Sequence, residues 1–440
     1  MKELSKNKFK NLTCVCVVLA ICLVAFLAAC SNPSGSDSSA QVITVTAADF
    51  QSTIDDIKST PGNYVLNVTE DVEFPGVVLN TPGVTITMKS ANVTANKALV
   101  GGSGNATITW MPSNEDVCSL FQVNAGKLIL EDITIVRSSN YTGDTDLDIL
   151  SVFDTGTMEI TDGVTLRSSE SESNFYSCVG IYSGTFIMSG GVIENCSEGI
   201  CCDHDGTIKI TGGVISDCGN EGIWIFGNNN KLTMTGGSVT NCGIGVGLSD
   251  TSSNSTLSLT NSTFNNNGNA ISINGTHNTV SVKGGKINNN ISFDWHDGSG
   301  IGISGDGVSV TVSNVEISGN EGNGISIGGD ESINCALDIS GTTIISGNGT
   351  WGIAINGMGT KFTKGIGSII YGDANHSATA DNSKFNGIGA IGISDTSWNG
   401  LKSWFNDAGI NDKPTATMAP DGNSVVTTPN DTPAGWCTIL

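Results

Sequence analysis

The sequence predicts an all-β solenoid of about ten to twelve stacked coils, closed at its start by a short helix. Three observations carry this. A segment of roughly 20–30 residues recurs along the chain. Each copy alternates apolar with small or polar residues at a period of two, which makes strands with one buried face. No helical period separates the copies, so a βαβ fold is excluded.

The repeat is clearest in the middle of the chain. Residues 184–196, 206–218 and 230–242 read GTFIMSGGVIENC, GTIKITGGVISDC and NKLTMTGGSVTNC. Each is followed by a short Gly-Ile strand, at Gly199-Ile200, Gly222-Ile223 and Gly243-Ile244. Later strands of this kind start at Ala270-Ile271, Gly300-Ile301, Gly324-Ile325 and Gly352-Ile353. Anchoring on Met188, Ile210, Met234, Leu259, Val282 and Val312 places Ile193, Ile215, Val239, Phe264, Ile287 and Ile317 five residues on. Three further on stand Cys196, Cys218, Cys242, Asn267, Asn290 and Asn320. A seventh copy, anchored on Ile339, reaches Ile345 and Asn348 after slipping one residue. Copies this short cannot bury a core alone and must stack into parallel sheets.

With these motifs the chain resembles the right-handed parallel β-helix proteins, the pectate-lyase-like superfamily, and their Ile-x-x-Asn…Gly-Ile repeats in particular. The resemblance covers roughly residues 60–395 and implies a single-stranded right-handed parallel β-helix, without fixing an activity. Weaker copies extend upstream at Ile86-Met88, Leu128-Leu130 and Met158-Ile160. At ~4.8 Å per coil the rod is on the order of 50–60 Å long. Ala47–Ser59, with Phe50, Ile54 and Ile57, fits an amphipathic helix over the open first edge. The expected division is 1–29 signal, 30–41 tether, 42–60 cap, 61–397 solenoid, and 398–440 a second cap, near Trp398–Ala408, with a loose tail.

Lys2, Lys6, Lys8 and Lys10 precede an apolar and small-residue run from Thr13 to Ala29, the pattern of a secretory signal. Leu27-Ala28-Ala29-Cys30 resembles the lipobox of bacterial lipoproteins, which implies acylation of Cys30 and a membrane-lipid anchor. Ser31 after that cysteine, in place of Asp, favours the outer membrane. Four lysines and one glutamate leave with the signal, a net +3, so −23 becomes −26. Such a field excludes nucleic acid as an expected partner.

Three groups are candidates for chemistry. Cys196, Cys218 and Cys242 share a register position with Asn267, Asn290, Asn320 and Asn348, which reads as a structural ladder at a turn. A disulfide within that column and a metal held by it with Cys201, Cys202 and His204 are the alternatives. The mature chain has nine cysteines besides Cys30, so they cannot all pair internally. Asp203-His204-Asp205 and Trp295-His296-Asp297 offer carboxylates for glycosidic chemistry, with Asp203, Asp205 and Asp297 the catalytic candidates. The Asn-Thr-Asp, Gly-His-Gly and Arg-Ile-Lys motifs of polygalacturonase-like enzymes are absent, and calcium is implied only if the chain resembles a lyase in activity. The third candidate is a binding face. The outward row of the Gly-Ile strands reads Tyr182, Cys201, Trp224, Gly245, Ser272, Gly302, Ser326 and Ala354, with Phe226, Asp203 and His204 alongside.

The expectation is therefore a lipid-anchored, surface-displayed scaffold that binds glycan or protein partners, adhesin-like and without catalysis. A polysaccharide lyase or hydrolase and a structural envelope spacer are the alternatives.

Overall fold

A computed structural model describes residues 39–91, 105–110, 119–137, 148–168, 177–293, 296–328, 333–357, 359–364, 368–371 and 384–393, with three short strands beyond them. The signal, Cys30, Trp295 and Trp398 lie outside the described residues. The chain divides into two compact units, Met1–Gln41 and Val42–Leu440, and the coils belong to the second.

One coil shows how the rest are made. Its strands are Glu198–Cys202, Thr207–Ile210 and Val214–Ser216. Each pairs in parallel with its counterpart one turn later: Ile200 opposite Ile223, Ile210 opposite Met234, Ile215 opposite Val239. The third strands collect in a 12-stranded sheet and the first and second in a 26-stranded one. The product is a right-handed parallel β-helix of about eleven turns.

The anchors read from the repeat pair as expected from Met188 through Val312, and from Ile193 through Ile317. Ile339 pairs with Val312 and Ile345 with Ile317, so the one-residue slip is absorbed in the turn at Gly341–Thr343. Alternation sends one residue in two to the interior. Ile200, Ile223, Val246, Ile271, Ile301, Ile325 and Ile353 stack there with no exposed surface. Burying each such side chain stabilises the coil by about 1.5–3 kcal/mol.

The turn after the third strand demands a left-handed residue. Asn195, Asp217, Asn241, Asn266 and Asn289 hold φ of 54, 55, 56, 56 and 54° there, and Gly319 and Gly347 take over later. Asn, Asp and Gly tolerate this conformation at least cost. The next residue points inward and forms the column of thiols and amides. Asn267 donates its backbone N–H and Nδ2 to Oδ1 of Asn290, at 3.0 and 3.3 Å. Asn290 treats Asn320 the same way, as Asn320 does Asn348 and Asn348 does Asn386.

Four expectations change in detail. The disulfide is not within the column: Cys196 bonds to Cys178, with a Cα–Cα distance of 6.1 Å, while Cys218 and Cys242 are free thiols. Cys178 stands where the next turn has Gly199, and a Cβ built on Gly199 meets Cys218 Sγ at 3.2 Å. A real side chain in that slot therefore reaches the column cysteine of the following turn. The outward row is Gly180, Cys201, Trp224, Gly247, Ser272, Gly302, Ser326 and Ala354. Tyr182 and Gly245 each sit two residues from their assumed place. Gly180-Ile181 mimics the motif two residues late and Gly243-Ile244 two residues early; Val179 and Val246 are the core residues, opposite Ile200 and Ile223. The helix spans Phe50–Ile57 only, because Asp49 turns its carboxylate back to Thr46 rather than onto the helix. Phe50 packs edge-on against Phe74 at 5.0 Å. Near the other end, Ser403–Phe405 pairs in parallel with Lys361–Thr363 and continues the coil past residue 397.

Candidate active site

The face built by the first strands carries three parallel columns of outward residues. In the first, Asp148 precedes the strand Leu150–Val152, Ser177 and Glu198 are register partners, and Glu221 follows opposite Ile244. Later turns place Asn269, Ser299 and Asn323 at this position, so the carboxyls are confined to a few adjacent turns. The second column is Ser151, Gly180, Cys201, Trp224 and Gly247. The third, just past the strands, is Phe153, Tyr182, Asp203, Phe226 and Ser249, linked by backbone bonds from each N–H to the turn before.

These columns hold one another. The Tyr182 hydroxyl donates to Asp148 Oδ2 at 3.0 Å, and the Tyr182 ring stacks on Phe153 with centroids 4.6 Å apart. Ser177 Oγ donates to Glu198 Oε2 at 3.2 Å. The Asp148 carboxyl lies over Gly180, where a Cβ would collide with it. Burial pushes Asp148 up to about 7, against the lowering pull of the Tyr182 hydrogen bond. Burial and the charge of Glu198 push Glu221 up to about 7 as well. Burial, with Glu198 beside it, raises the Cys201 thiol well above its usual range, so it stays a neutral thiol.

Two hydroxyls complete the arrangement. Ser119 and Ser151 are fully buried, and their Oγ atoms have no hydrogen-bond partner. Ser119 precedes Phe121, the partner of Leu150, and so stands one turn before Asp148 in the acidic column. Ser151 is in register with Gly180, the residue over which the Asp148 carboxyl lies. An unmade hydrogen bond at a buried hydroxyl costs about 1–3 kcal/mol.

The residues singled out in the sequence divide. Tyr182, Trp224, Phe226 and Asp203 lie on this face, and Trp224 and Phe226 are half-buried. His204 is exposed and contacts its neighbour Asp203. Asp205 is an exposed turn residue at φ 54° that accepts a bond from Asn229. Asp297 sits in a two-stranded hairpin with His296, four strands further along the stack from Asp203. That is about 19 Å, so Asp203 and Asp297 form no pair. Asp148, Glu198 and Glu221 escaped notice, although Glu198-Gly-Ile and Glu221-Gly-Ile repeat a signal in plain view.

A separate cavity of about 480 Å³ lies beside the hairpin, lined by Cys218, Cys242, Gly243, Gly268, Ile291 and Phe293. Among the described residues no three His, Cys, Asp or Glu converge on a point that could hold a metal.

A family model described as a right-handed β-helix region matches residues 133–290. No curated protein matches the chain. Among solved structures, the periplasmic alginate epimerase AlgG is 12% identical over 80% of each chain, with a TM-score of 0.46. DFA-IIIase from Arthrobacter chlorophenolicus A6, solved without its lid, is 14% identical over 82% of this chain and 97% of its own, with a TM-score of 0.42. Likeness at this level says nothing of activity.

Proposed function

We propose that the protein is an extracytoplasmic lipoprotein, held by lipid on Cys30, whose β-helix binds glycan chains across the face of Asp148, Tyr182, Glu198, Glu221 and Trp224. One observation carries the glycan reading: Tyr182, exposed and stacked on Phe153, shares one face with half-buried Trp224 and Phe226 and with the carboxyl of Asp203. Ligands with hydroxyls and apolar ring faces suit aromatics set beside a carboxyl. The Cys178–Cys196 disulfide suits an oxidising compartment and supports export.

The test uses the full chain, solubilised in detergent, on a panel of immobilised polysaccharides. Trp224→Ala and Tyr182→Ala should each weaken binding about tenfold, or about 1.4 kcal/mol. Binding to no glycan, or binding unchanged in both variants, would refute the reading. Cys30→Ser should move the protein from the membrane to the soluble fraction and abolish incorporation of labelled palmitate.

A further inference from the structure

We infer that the cavity beside the hairpin of Ser292–Phe293 and His296–Asp297 is a second binding site, which takes a small molecule carrying one flat aromatic ring system and an ammonium group. It is independent of the glycan face. The cavity holds about 480 Å³, an ordinary size for a small-molecule site. Its floor is bare backbone: Gly219, Gly243 and Gly268 each stand three residues past the register partners Ser216, Thr240 and Asn265 of successive turns. They span two stack spacings, about 9.6 Å, room for a two-ring system to lie flat. Ile291 holds the same place in the fourth turn and closes the floor as an end wall, with Phe293 beside it.

Three features that folding does not require point to a ligand there. Ile291 and Phe293, 43% and 56% exposed, are two of the six large hydrophobic side chains left exposed among the described residues, and both line this one cavity. Their hairpin is held in place. The Ile291 N–H donates to Asn267 O at 2.8 Å, the Ser292 N–H to Glu321 Oε2 at 2.8 Å, and Ser292 Oγ to His296 O at 3.1 Å. An aromatic wall fixed beside a bare floor suits a flat ring. The second feature is Gly219. Gly243 and Gly268 are glycines because a Cβ would meet the carbonyl oxygens of Asn220 and Gly243 at 2.5 and 2.4 Å. Gly219 has no left-handed φ, and a Cβ there meets nothing within 4 Å. Neither conformation nor packing demands glycine at 219, and its effect is to keep the floor open. The third is charge. On the rim, Asp217 Oδ1 accepts a bond from Asn241 Nδ2 at 3.2 Å, which leaves Oδ2 for a ligand's ammonium group. None of the described lining residues is basic, and the chain's net charge is −23, so the site draws cations and repels anions.

Ligand-observed NMR on the full chain in a nonionic detergent, with detergent alone as the blank, compares three indoles of one shape: cationic tryptamine, neutral tryptophol and anionic indole-3-acetate. Tryptamine should bind about tenfold or more tighter than tryptophol, and indole-3-acetate should not exceed the blank. Asp217→Asn keeps the left-handed turn at φ 55° and an oxygen for Asn241, and should lower tryptamine to the affinity of tryptophol. Gly219→Ala raises the open floor and Phe293→Ser removes an exposed wall. Each should weaken both ligands about tenfold while leaving glycan binding and thermal unfolding unchanged. Binding of none of the three indoles above the blank would overturn the site. Equal affinity of the wild type for tryptamine and tryptophol would overturn the assigned ligand class. Tryptamine binding unchanged in both Gly219→Ala and Phe293→Ser would put the ligand elsewhere and overturn the site as well. A chain that binds no glycan yet separates the three indoles in this way would sink the glycan reading alone.

Discussion

The indole of Trp224 lies across the backbone of Gly247, its register partner one turn on. A Cβ at Gly247 would stand 2.6 Å from two ring carbons. Gly247 has no left-handed φ, so space alone keeps it a glycine. Gly247→Ala should therefore tilt the ring off the face, weaken glycan binding about tenfold, and shift tryptophan fluorescence. Gly302 occupies the same column two turns later with nothing nearer its Cβ than 4.0 Å. Gly302→Ala should leave both readouts unchanged, and equal effects from the two would contradict the packing argument.

Asp148 makes stability depend on pH in an unusual direction. Its carboxyl is raised from 3.8 to about 7 in the folded chain, so the folded state holds a proton that the unfolded state releases. Its stabilising share is present in full below about pH 4 and is lost as pH rises through about 7. At about 1.36 kcal/mol per pH unit the loss approaches roughly 4 kcal/mol. Asp148→Asn keeps an oxygen for the Tyr182 hydroxyl and removes the titration. Denaturation at about pH 5 and about pH 8 should show the variant gaining on the wild type at the higher pH. A wild-type difference that the variant reproduces would exclude Asp148 as its source.

Asn289 and Asn290 are neighbours with opposite tolerance. Asn290 Oδ1 accepts two bonds from Asn267, and its Nδ2 donates to Asn320 at 2.6 Å, with no exposed surface. Asn290→Ala strands the buried backbone N–H of Asn267 and leaves Oδ1 of Asn320 only the bond from the backbone N–H of residue 290, and should cost about 2–3 kcal/mol. Asn289 needs only its left-handed turn, at φ 54°, which glycine adopts freely. Asn289→Gly should change stability by less than about 1 kcal/mol, and urea titrations of both variants measure the contrast.

Why the coil was legible and the acidic column was not follows from these same positions. Core and ladder residues must repeat in every turn, because each touches its own copy above and below, so Met188 to Val312 announce the register. The residue ahead of the Gly-Ile pair faces outward and is free to vary. It is Asp148, Ser177, Glu198, Glu221, Ile244 and Asn269 in successive turns, and only the adjacent Glu198 and Glu221 repeat a residue type. Only the stacking distance turns Glu198 and Glu221, 23 positions apart in sequence, into neighbours. The displaced Gly243-Ile244 pair misled for a related reason. Apolar alternation is satisfied by two registers there, and only pairing with Ile223 selects Val246.

Cys178 departs from the glycine that other turns place in its slot, which separates the bond from the packing. Cys178→Gly copies Gly199 and Gly222, so it should leave the coil intact and delete only the cross-link to Cys196. A bond between residues 18 apart in sequence restricts the unfolded chain by about 3 kcal/mol in the loop-entropy view. Wild-type protein should therefore lose about that much on reduction, and the glycine variant should be equally unstable with or without reductant. Because Cys218 and Cys242 have buried thiols in the same column, reduction should expose no new fast-reacting group beyond Cys178 and Cys196. Thiol labelling before and after reduction, read by mass spectrometry, checks this. Labelled Cys218 or Cys242 in the oxidised protein would show that the column opens as a unit rather than staying closed around its single bond.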